Sequence, residues 1–308
     1  MPKPSTKANE GKCCLLSGAS GYLGSVFKKR LIAEGWRVVE LSRRSDPHAE
    51  VIDFHLGDPV DPERLKKCFA LIHCAYDFSK VKWSDIQATN VRGSERLLRS
   101  AQEAGVHRLV YLSTISAFEG CQSLYGRGKL AVENVAQDMG ASIIRPGLVY
   151  GPKPGAAFGR LVENVCRSKI LPIPGQGEQR TYLVHEQDLA DAVLSSLIPH
   201  KKPCSVPVTV AHEQSWSLKS ILLEIASAVD RKIIFVPTPW QMMWAGLRLA
   251  EALKIRTGAS SDSLISLVHQ NPNPIINAEE LLDIDCRPFD GAILRGFSAT
   301  DQSGLHRT

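Results

Sequence analysis

Residues 13–24 read CCLLSGASGYLG, an apolar run followed at once by three glycines that are spaced three apart. The first five residues predict a short buried strand, and residues 22–35 have the apolar spacing of an amphipathic helix. Glycines at these positions allow a tight turn, close packing of helix on strand and approach of the backbone to a diphosphate, which the helix N-terminus favours. A purely structural glycine turn is the alternative. The residues of this turn that we expect to contact a dinucleotide are Gly18, Ser20, Gly21, Tyr22, Leu23 and Gly24.

Strand and helix patterns continue to alternate beyond this turn. Further strands are predicted at residues 36–41, 51–56, 68–75, 108–114 and 141–145, and helices at about 84–104 and at 123–139. Alternation at this spacing implies parallel strands joined by right-handed crossovers. The predicted fold class is therefore α/β, a doubly wound parallel sheet of the Rossmann type.

The chain divides into a nucleotide-binding part and a smaller lobe. We assign residues 11–151, with part of 180–212, to an NAD(P)-binding Rossmann domain, and the remainder of 152–296 to a C-terminal substrate-binding lobe. In the second half, helices are predicted at 157–167, 188–196, 217–229 and 240–253, and strands at 206–211 and 232–236. Residues 1–10 and 297–308 are polar, and we expect them to be flexible.

The bulk composition is that of an ordinary globular protein. The 308 residues are 44% hydrophobic and 22% charged, and the net charge of +5 is not gathered in a run of Lys or Arg. A nucleic-acid-binding surface is therefore not expected. The partner that we expect is a small-molecule substrate.

Cysteine usage and hydropathy bear on the compartment. The eight cysteines form no CxxC pair, so no metal site is expected. Several lie in apolar runs, where a free Cys acts as a small hydrophobe, which favours a reducing compartment. The N-terminus is polar and no apolar run approaches the length of about 18 residues that a transmembrane helix needs. We therefore expect a cytoplasmic protein.

The end of the second predicted strand bears on the choice of cofactor. Ser42, Arg43 and Arg44 stand where NAD-binding sites usually place an acid for the ribose hydroxyl. A hydroxyl and guanidinium groups suit a 2′-phosphate, so NADP is preferred over NAD, although Glu40 keeps NAD open. Asp58, after the third strand, is either an acceptor for the adenine amino group or a simple loop residue.

A phenol and an ammonium group lie four residues apart at Tyr125 and Lys129, on one face of a predicted helix. A Lys⁺ lowers the pKa of a neighbouring phenol, so Tyr125 could exchange a proton with a substrate oxygen while hydride moves to or from a nicotinamide. Thr114 ends the fifth predicted strand, at the sheet edge where doubly wound folds bind ligands, and could hold the same oxygen. A YxxxK pair is common by chance, but its place in this order favours catalysis.

The sequence resembles the extended short-chain dehydrogenase/reductase family, the NAD-dependent epimerase/dehydratase group, over about two-thirds of its length. The motifs that carry this resemblance are GASGYLG (18–24), LIHCA (71–75), NVRGS (90–94), VYLSTISAF (110–118), YGRGK (125–129), RPGLVYGP (145–152) and VHEQDLADA (184–192). The resemblance implies that Thr114, Tyr125 and Lys129 are catalytic and that Asn90 supports the active-site geometry. It also implies that Cys74, Ala75, Lys129 and Pro146 line the cofactor, and that two long helices pair two chains as a homodimer.

Departures from the family pattern bear on the substrate. Ile115 and Ser116 follow Thr114 where sugar 4,6-dehydratases carry Asp-Glu, so that reaction is not expected. Leu148 replaces an Asn that contacts nucleotide sugars in the family. The residues that we assign to the substrate side are Tyr76, Ser116, Leu148, Arg180 and His185, with a structural hydrogen bond as the alternative for the polar ones.

Three functions stay open. The family motifs favour oxidoreductase or epimerase chemistry on a sugar or nucleotide sugar. Arg43, Arg44 and Leu148 favour a net NADPH-dependent ketone or aldehyde reductase acting on a non-nucleotide substrate. The third alternative is a non-catalytic NADP(H)-binding assembly or sensor protein, suggested by the apolar segment 237–253, which is either a helix of the lobe or a docking or peripheral membrane helix.

Overall fold

The structure is a computed structural model that describes residues 12–43, 47–198, 203–255 and 257–295. The terminal segments 1–10 and 297–308, which were expected to be flexible, lie outside the described residues. So does Arg44, one of the residues assigned to the cofactor.

The strands of the described chain are short, with three to six residues each. In chain order they are β1 (Cys13–Ser17), β2 (Arg37–Ser42), β3 (Glu50–Asp53), β4 (Ala70–His73), β5 (Arg108–Leu112), β6 (Ser142–Pro146), β7 (Leu148–Tyr150), β8 (Ile170–Pro174), β9 (Arg180–His185), β10 (Val208–Val210), β11 (Ser215–Ser217) and β12 (Ile234–Thr238).

The helices alternate with the strands through residue 195 and then dominate the C-terminal part. They are α1 (Tyr22–Ala33), α2 (Trp83–Ile86), α3 (Arg92–Glu103), α4 (Leu124–Asp138), α5 (Ala156–Arg167), α6 (Glu186–Ser195), α7 (Leu218–Ala228), α8 (Trp240–Ala252), α9 (Ser261–Val268) and α10 (Ala278–Leu282). Short 3₁₀ helices occur at Pro62–Leu65 and Gly291–Leu294, and a π-helical turn at Gln87–Val91.

A seven-stranded sheet with the order β10-β6-β5-β4-β1-β2-β3 forms the centre of the molecule, and all of its pairings are parallel. Two buried apolar clusters cover its two faces, because every residue of β1 and β4 is buried and successive side chains point to opposite sides. The predicted α/β doubly wound parallel sheet is therefore confirmed. The order reverses between β1 and β4, which is where such sheets bind ligands.

Two smaller sheets lie beyond the main one. β7 pairs with β9 in parallel and β11 pairs with β9 in antiparallel fashion, while β8 and β12 form a parallel ribbon. A third buried apolar cluster packs these strands against α5 and α7, with Tyr150, Phe158 and Phe289 in edge-to-face and tilted contacts.

The observed elements differ from the predicted ones in two ways. The helix predicted at 84–104 is interrupted, because a π-helical turn separates α2 from α3. The strands β7, β8, β9 and β11 and the helices α9 and α10 were not predicted. β7 and β8 have three and five residues in a Pro- and Gly-rich region, where hydrophobic periodicity is weakest.

One pair of cysteines is joined. Cys13 and Cys68 form a disulfide with their Cα atoms 4.6 Å apart. The sequence analysis treated cysteines in apolar runs as free. The pairing was missed because 55 residues separate the two positions, and the parallel pairing of β1 with β4, which includes a 2.8 Å bond from Phe69 N to Cys13 O, brings the segments together.

In the described part of the chain, no helix combines the length and apolar character that crossing a bilayer requires.

Candidate active site

The turn between β1 and α1 has the backbone that its glycines predict. Gly18 adopts a positive φ of 74°, and its carbonyl oxygen accepts a 3.0 Å bond from Gly21 N. A Cβ on Gly24 would overlap that carbonyl, so only glycine fits there. The first N–H groups of α1 meet no capping side chain and no acidic residue in the first turn. This helix start therefore fits an anionic diphosphate.

Tyr22, at the start of α1, faces away from solvent toward the second half of the chain. Its hydroxyl donates a 2.5 Å bond to Glu186 Oε2, and its ring packs on Gly155. Burial raises the pKa of Tyr22 above its ordinary value, so the phenol stays neutral. Of the other predicted contacts in the turn, Ser20 is exposed and Leu23 is half-buried.

The end of β2 carries Ser42, followed by the exposed Arg43. Glu40, which kept NAD open in the sequence analysis, is buried and forms a salt bridge with Lys28 of α1. Its carboxylate is therefore held by α1. Asp58, proposed as an adenine contact, is exposed in the loop after β3.

A buried hydrogen-bonded chain connects the ends of β1 and β4 to α3. His73 Nδ1 lies 2.6 Å from Ser17 Oγ, and His73 Nε2 lies 2.7 Å from Ser94 Oγ. Ala75 N donates to Ser17 Oγ at 3.3 Å, and Cys74 Sγ to Ser17 O at 2.8 Å. Burial lowers the pKa of His73 to about 3, so the imidazole is neutral. This chain fixes the Cys74-Ala75 backbone beside Gly18.

Asn90 lies on the π-helical turn and holds the loop after β4. Its Oδ1 accepts from Asp77 N at 2.7 Å, and its Nδ2 donates to Asp77 O at 3.1 Å. The loop fixed in this way carries Tyr76 and Phe78. Asn90 therefore acts on the backbone next to two aromatic side chains of the site.

The three residues assigned to catalysis lie together. Thr114 lies two residues past the end of β5, and its side chain is close enough to the Tyr125 phenol to lower the pKa of that phenol. Lys129 is buried; its Nζ donates to Leu112 O at 2.7 Å and lies 6.0 Å from the centre of the Tyr125 ring. Burial raises the pKa of Tyr125 to about 12, which Thr114 partly offsets, and burial lowers the pKa of Lys129 to about 8.

A buried ion pair ties α4 to the sheet one helical turn below Lys129. Glu133 accepts hydrogen bonds from Ser113 Oγ and, at 2.9 Å, from Arg145 Nε. These partners belong to the end of β5 and to β6. The face of α4 that carries Tyr125 and Lys129 is therefore locked against the strands that precede and follow it.

Aromatic side chains form one wall beside the phenol. Tyr76 meets the Tyr125 ring edge-to-face at 5.1 Å between centroids, and Phe78 stacks on it at 5.6 Å. Phe78 is 72% exposed, so this wall reaches the surface. An apolar group approaching Tyr125 would contact rings on this side.

A carboxylate from far along the chain holds the start of α4. Asp262 Oδ1 accepts from Leu124 N at 2.7 Å, and Asp262 Oδ2 accepts from Tyr125 N at 3.0 Å. One turn later on α9, Ser266 Oγ donates to Ser116 Oγ at 3.0 Å. The predicted substrate residue Ser116 is thus bonded to α9, and α9 is part of the site.

The remaining predicted residues are spread over the lobe and the sheet edge. Arg180 and His185 lie at opposite ends of β9, so the structure does not bring them together. His185 Nδ1 accepts from Gln187 N at 3.2 Å and so caps α6. Leu148 lies on β7 beside the third apolar cluster, and Pro146 O accepts from Ile115 N at 3.0 Å next to Thr114.

The family model for the NAD dependent epimerase/dehydratase family matches residues 14–202, more than half of the chain. The chain belongs to this family. A ceramide reductase of Caulobacter vibrioides is 31% identical over 185 residues, which are 57% of this chain and 57% of that protein, so the chain spans little more than half of that relative. A UDP-glucose 4-epimerase of Vibrio cholerae is 27% identical over 263 residues, 74% of this chain and 79% of that one.

Among solved structures, MoeE5 in complex with UDP-glucuronic acid and NAD superposes with a TM-score of 0.71 at 20% identity, covering 92% of this chain and 97% of the other. This similarity shows that the fold is shared. Relatives of this family member thus include nucleotide-sugar epimerases and reductases.

Sequence reasoning missed several residues that shape this family member's site. Asp262 lies outside the matched region and more than 130 residues from its hydrogen-bond partners, so no local pattern indicated it. His73 lies inside a quoted motif, and its polar character within an otherwise apolar strand was an unused signal. Phe78 follows that motif by three residues and could be found only from the folded loop.

Proposed function

We propose that this family member is an NAD(P)-dependent oxidoreductase that interconverts a carbonyl and a carbinol through Tyr125, Thr114 and Lys129. The observation that carries the proposal is that Thr114, Tyr125 and the buried Lys129 lie together: the Thr114 side chain lowers the pKa of the Tyr125 phenol, and Lys129 Nζ lies 6.0 Å from the centre of the Tyr125 ring. A bound dinucleotide supplies the hydride donor or acceptor.

The side chains divide the proton chemistry between them. On reduction, Tyr125 donates its phenolic proton to the carbonyl oxygen as carbon gains hydride, which leaves a phenolate and a carbinol. Thr114 holds the same oxygen by a hydrogen bond. The Lys129 ammonium stabilises the phenolate by its charge. Oxidation reverses each step.

We further propose NADP as the preferred dinucleotide. Ser42 and the exposed Arg43 at the end of β2 support this choice, since a hydroxyl and a guanidinium suit a 2′-phosphate. The pairing of Glu40 with Lys28 supports it as well, because that carboxylate is held away from the strand end.

The substrate that the site fits best is an apolar ketone or aldehyde, reduced in a net reaction. Tyr76 and Phe78 place rings within 6 Å of the Tyr125 ring. Similarity to a ceramide reductase supports this choice. Sugar 4,6-dehydration is not proposed, because Ile115 and Ser116 supply no acid after Thr114.

Nucleotide-sugar epimerisation is the second candidate. The longer alignment, with the Vibrio cholerae UDP-glucose 4-epimerase, favours it. The two candidates differ in one measurable respect: an epimerase returns its dinucleotide unchanged, whereas a reductase consumes NADPH at the rate of product formation.

The test compares NADPH consumption with long-chain ketones and with nucleotide sugars, using the wild type, Tyr125→Phe and the control Tyr182→Phe on β9. We expect Tyr125→Phe to lose about 10²- to 10⁴-fold in kcat and to keep its affinity for NADPH, because only the proton donor is removed. Tyr182→Phe should behave as wild type. Unchanged turnover in Tyr125→Phe would refute the mechanism, and product formation from a nucleotide sugar without NADPH loss would favour epimerisation.

A further inference from the structure

The ribbon formed by β8 and β12 is apolar on its solvent side. Ile170 lies opposite Ile234, and Pro172 lies opposite Val236, in the register of the two parallel strands. All four are exposed, with 58% for Ile170 and 65% for Ile234, while Leu171 and Ile173 of the other face are buried. A sheet with one solvated face normally carries polar residues there.

Helix α8, the next element along the chain, also has an exposed apolar side. β12 leads through Pro239 directly into α8, which also contacts β8. No residue of α8 is buried, although one side packs against α9. Met242, Leu249 and Leu253 recur at i, i+7 and i+11 on the opposite side and are 62–66% exposed. The solvent-facing side of this helix is therefore apolar, the reverse of an ordinary surface helix.

Exposed basic side chains surround the apolar residues. Lys169 immediately precedes β8, and Arg231 and Lys232 precede β12; because the strands are parallel, these side chains lie at the same end of the ribbon. Arg248 and Lys254 are exposed on α8 and just after it, and Arg248 pairs with Glu251 at 3.8 Å. The exposed Asp230 directly precedes Arg231, so the residues flanking the starts of the two strands carry three positive charges and one negative charge.

The charge pattern distinguishes between possible occupants. Lys is depleted from protein–protein interfaces, so the exposed Lys169, Lys232 and Lys254 beside apolar residues are unusual for a protein partner. The same pattern suits an anionic bilayer, where apolar side chains enter the interfacial region and basic side chains meet phosphate headgroups. Trp244, 39% exposed with Arg248 over its ring at 5.9 Å, is of a residue type enriched at that boundary.

We propose that the lipid-facing surface, defined as the exposed side of β8, β12 and α8, adsorbs this protein to an anionic membrane. The other side of α8 packs on α9, the helix whose Asp262 and Ser266 reach the active site. Adsorption would therefore place the α9 side of the site toward the bilayer. The proposal does not depend on the reaction assigned above.

The experiment is flotation of the full chain with vesicles of phosphatidylcholine alone and of equal parts phosphatidylcholine and phosphatidylglycerol. We expect wild type to float with the anionic vesicles and to remain at the bottom with the neutral ones. The double variant Met242→Ser/Leu249→Ser should bind at least about tenfold more weakly. Each of Lys169→Gln and Lys232→Gln should weaken binding about fivefold.

Matched controls replace residues of the same kind elsewhere. Ile275→Ser removes an isoleucine that is 77% exposed outside the surface, and Lys29→Gln removes an exposed lysine of α1. Both should float as wild type does, and all variants should melt at the wild-type temperature because the replaced side chains are exposed. Failure of wild type to float, or equal flotation of Met242→Ser/Leu249→Ser, would overturn the proposal. The proposal would also be overturned if the wild type were a dimer, the double variant were a monomer, and vesicles had no effect on either protein.

Discussion

Burial shifts the pKa values of Tyr125 and Lys129, two titratable groups of the site, in opposite directions. It raises the pKa of the Tyr125 phenol to about 12 and lowers that of the Lys129 ammonium to about 8. At neutral pH both groups therefore carry their protons. A protonated phenol beside a positive charge is prepared to donate a proton, which is the requirement of the reductive direction.

The pH dependence of reduction follows from these directions. As pH rises through about 8, Lys129 loses the positive charge that stabilises the phenolate left by proton donation, while Tyr125 remains protonated. We expect kcat/KM for reduction to be level below that pH and to fall above it. Lys129→Arg keeps its charge over this range and should remove the fall. The measurement is the pH–rate profile of both proteins, with thermal melting to verify folding; an identical fall in Lys129→Arg would assign it to another group.

Asp262 is expected to be a positioning residue for Tyr125. Asp262→Ala leaves Leu124 N and Tyr125 N without their acceptor, which costs about 1 kcal/mol and loosens the first turn of α4. We expect kcat to fall about tenfold with little change in KM for the dinucleotide, because Asp262 caps α4 rather than α1. Asp262→Asn retains an acceptor oxygen and should recover part of the rate.

The control for Asp262 is its neighbour Ser260, whose hydroxyl caps α9 rather than α4. Ser260→Ala should affect melting about as much as Asp262→Ala and leave kcat near the wild-type value. If both variants lose the same rate, Asp262 serves only the stability of α9.

The proposed catalytic residues that the sequence predicted, and that lie together in the structure, are those whose spacing indicates the chemistry. Tyr125 and Lys129 are one helical turn apart, so their proximity is fixed by helix geometry alone. Thr114 was found from its place at the end of a strand. Asp262 could not be found in this way, because its contact with Tyr125 depends on how α9 packs against α4.

The β1–α1 turn shows how one element serves folding and binding through different glycines. Gly24 packs against the Gly18 carbonyl, whereas Gly21 is exposed at the start of α1, with φ near −77° and one contact at 3.3 Å to Gly18 O for an added Cβ. Gly24 therefore serves the packing of helix on strand. Gly21 belongs to the surface that we propose meets the diphosphate.

Alanine at these two positions should therefore separate stability from binding. Gly24→Ala forces the helix away from the strand, and we expect a loss of about 1–3 kcal/mol in the free energy of unfolding. Gly21→Ala adopts its backbone without strain and should melt near wild type but bind NADPH more weakly. Urea denaturation and fluorescence titration measure the two effects. Equal melting of the two variants would contradict this assignment.

Element boundaries were predictable where long periodic patterns decide them. The strand at 13–17 and the start of α1 were predicted correctly, because an apolar run and a helical stripe meet at a glycine. The helix at 84–104 was predicted as continuous, and its π-helical turn was missed, since a turn of five residues is shorter than the window of about 11–18 residues over which hydrophobic periodicity is read. β7 and β9 pair across more than 30 residues, which no local pattern shows.

A cleft lies on the outer side of α4. The residues that line this cleft are Trp83, Gly120, Cys121, Arg127, Leu130, Ala131 and Asn134. Arg127 stacks over the Trp83 ring at 4.6 Å, which leaves small and apolar side chains of α4 open to a partner. This is the side through which the family resemblance predicts a homodimer.

A single charge in this cleft should test the predicted homodimer. Ala131→Arg places a guanidinium on the helix face that would meet its counterpart in the partner, and burying two like charges is unfavourable. We expect light scattering to give a dimer for wild type and a monomer for Ala131→Arg. Ile32→Arg, at a 54% exposed position of α1, is the control and should remain dimeric. A monomeric wild type would refute the prediction.

The carboxylate of Asp262 also sets a limit on how this enzyme can be divided. The region that matches the family model ends at residue 202, yet the carboxylate that anchors α4, the helix that carries the proposed catalytic residues, is supplied 60 residues later. A chimera that joined residues 14–202 to the C-terminal part of another family member would inherit Tyr125, Lys129 and Thr114 intact. Unless the donor protein had an acidic residue at the position of Asp262, two backbone N–H groups at the start of α4 would lack their hydrogen-bond acceptor. We therefore expect such a chimera to turn over more slowly, even if it gained the substrate specificity of the donor.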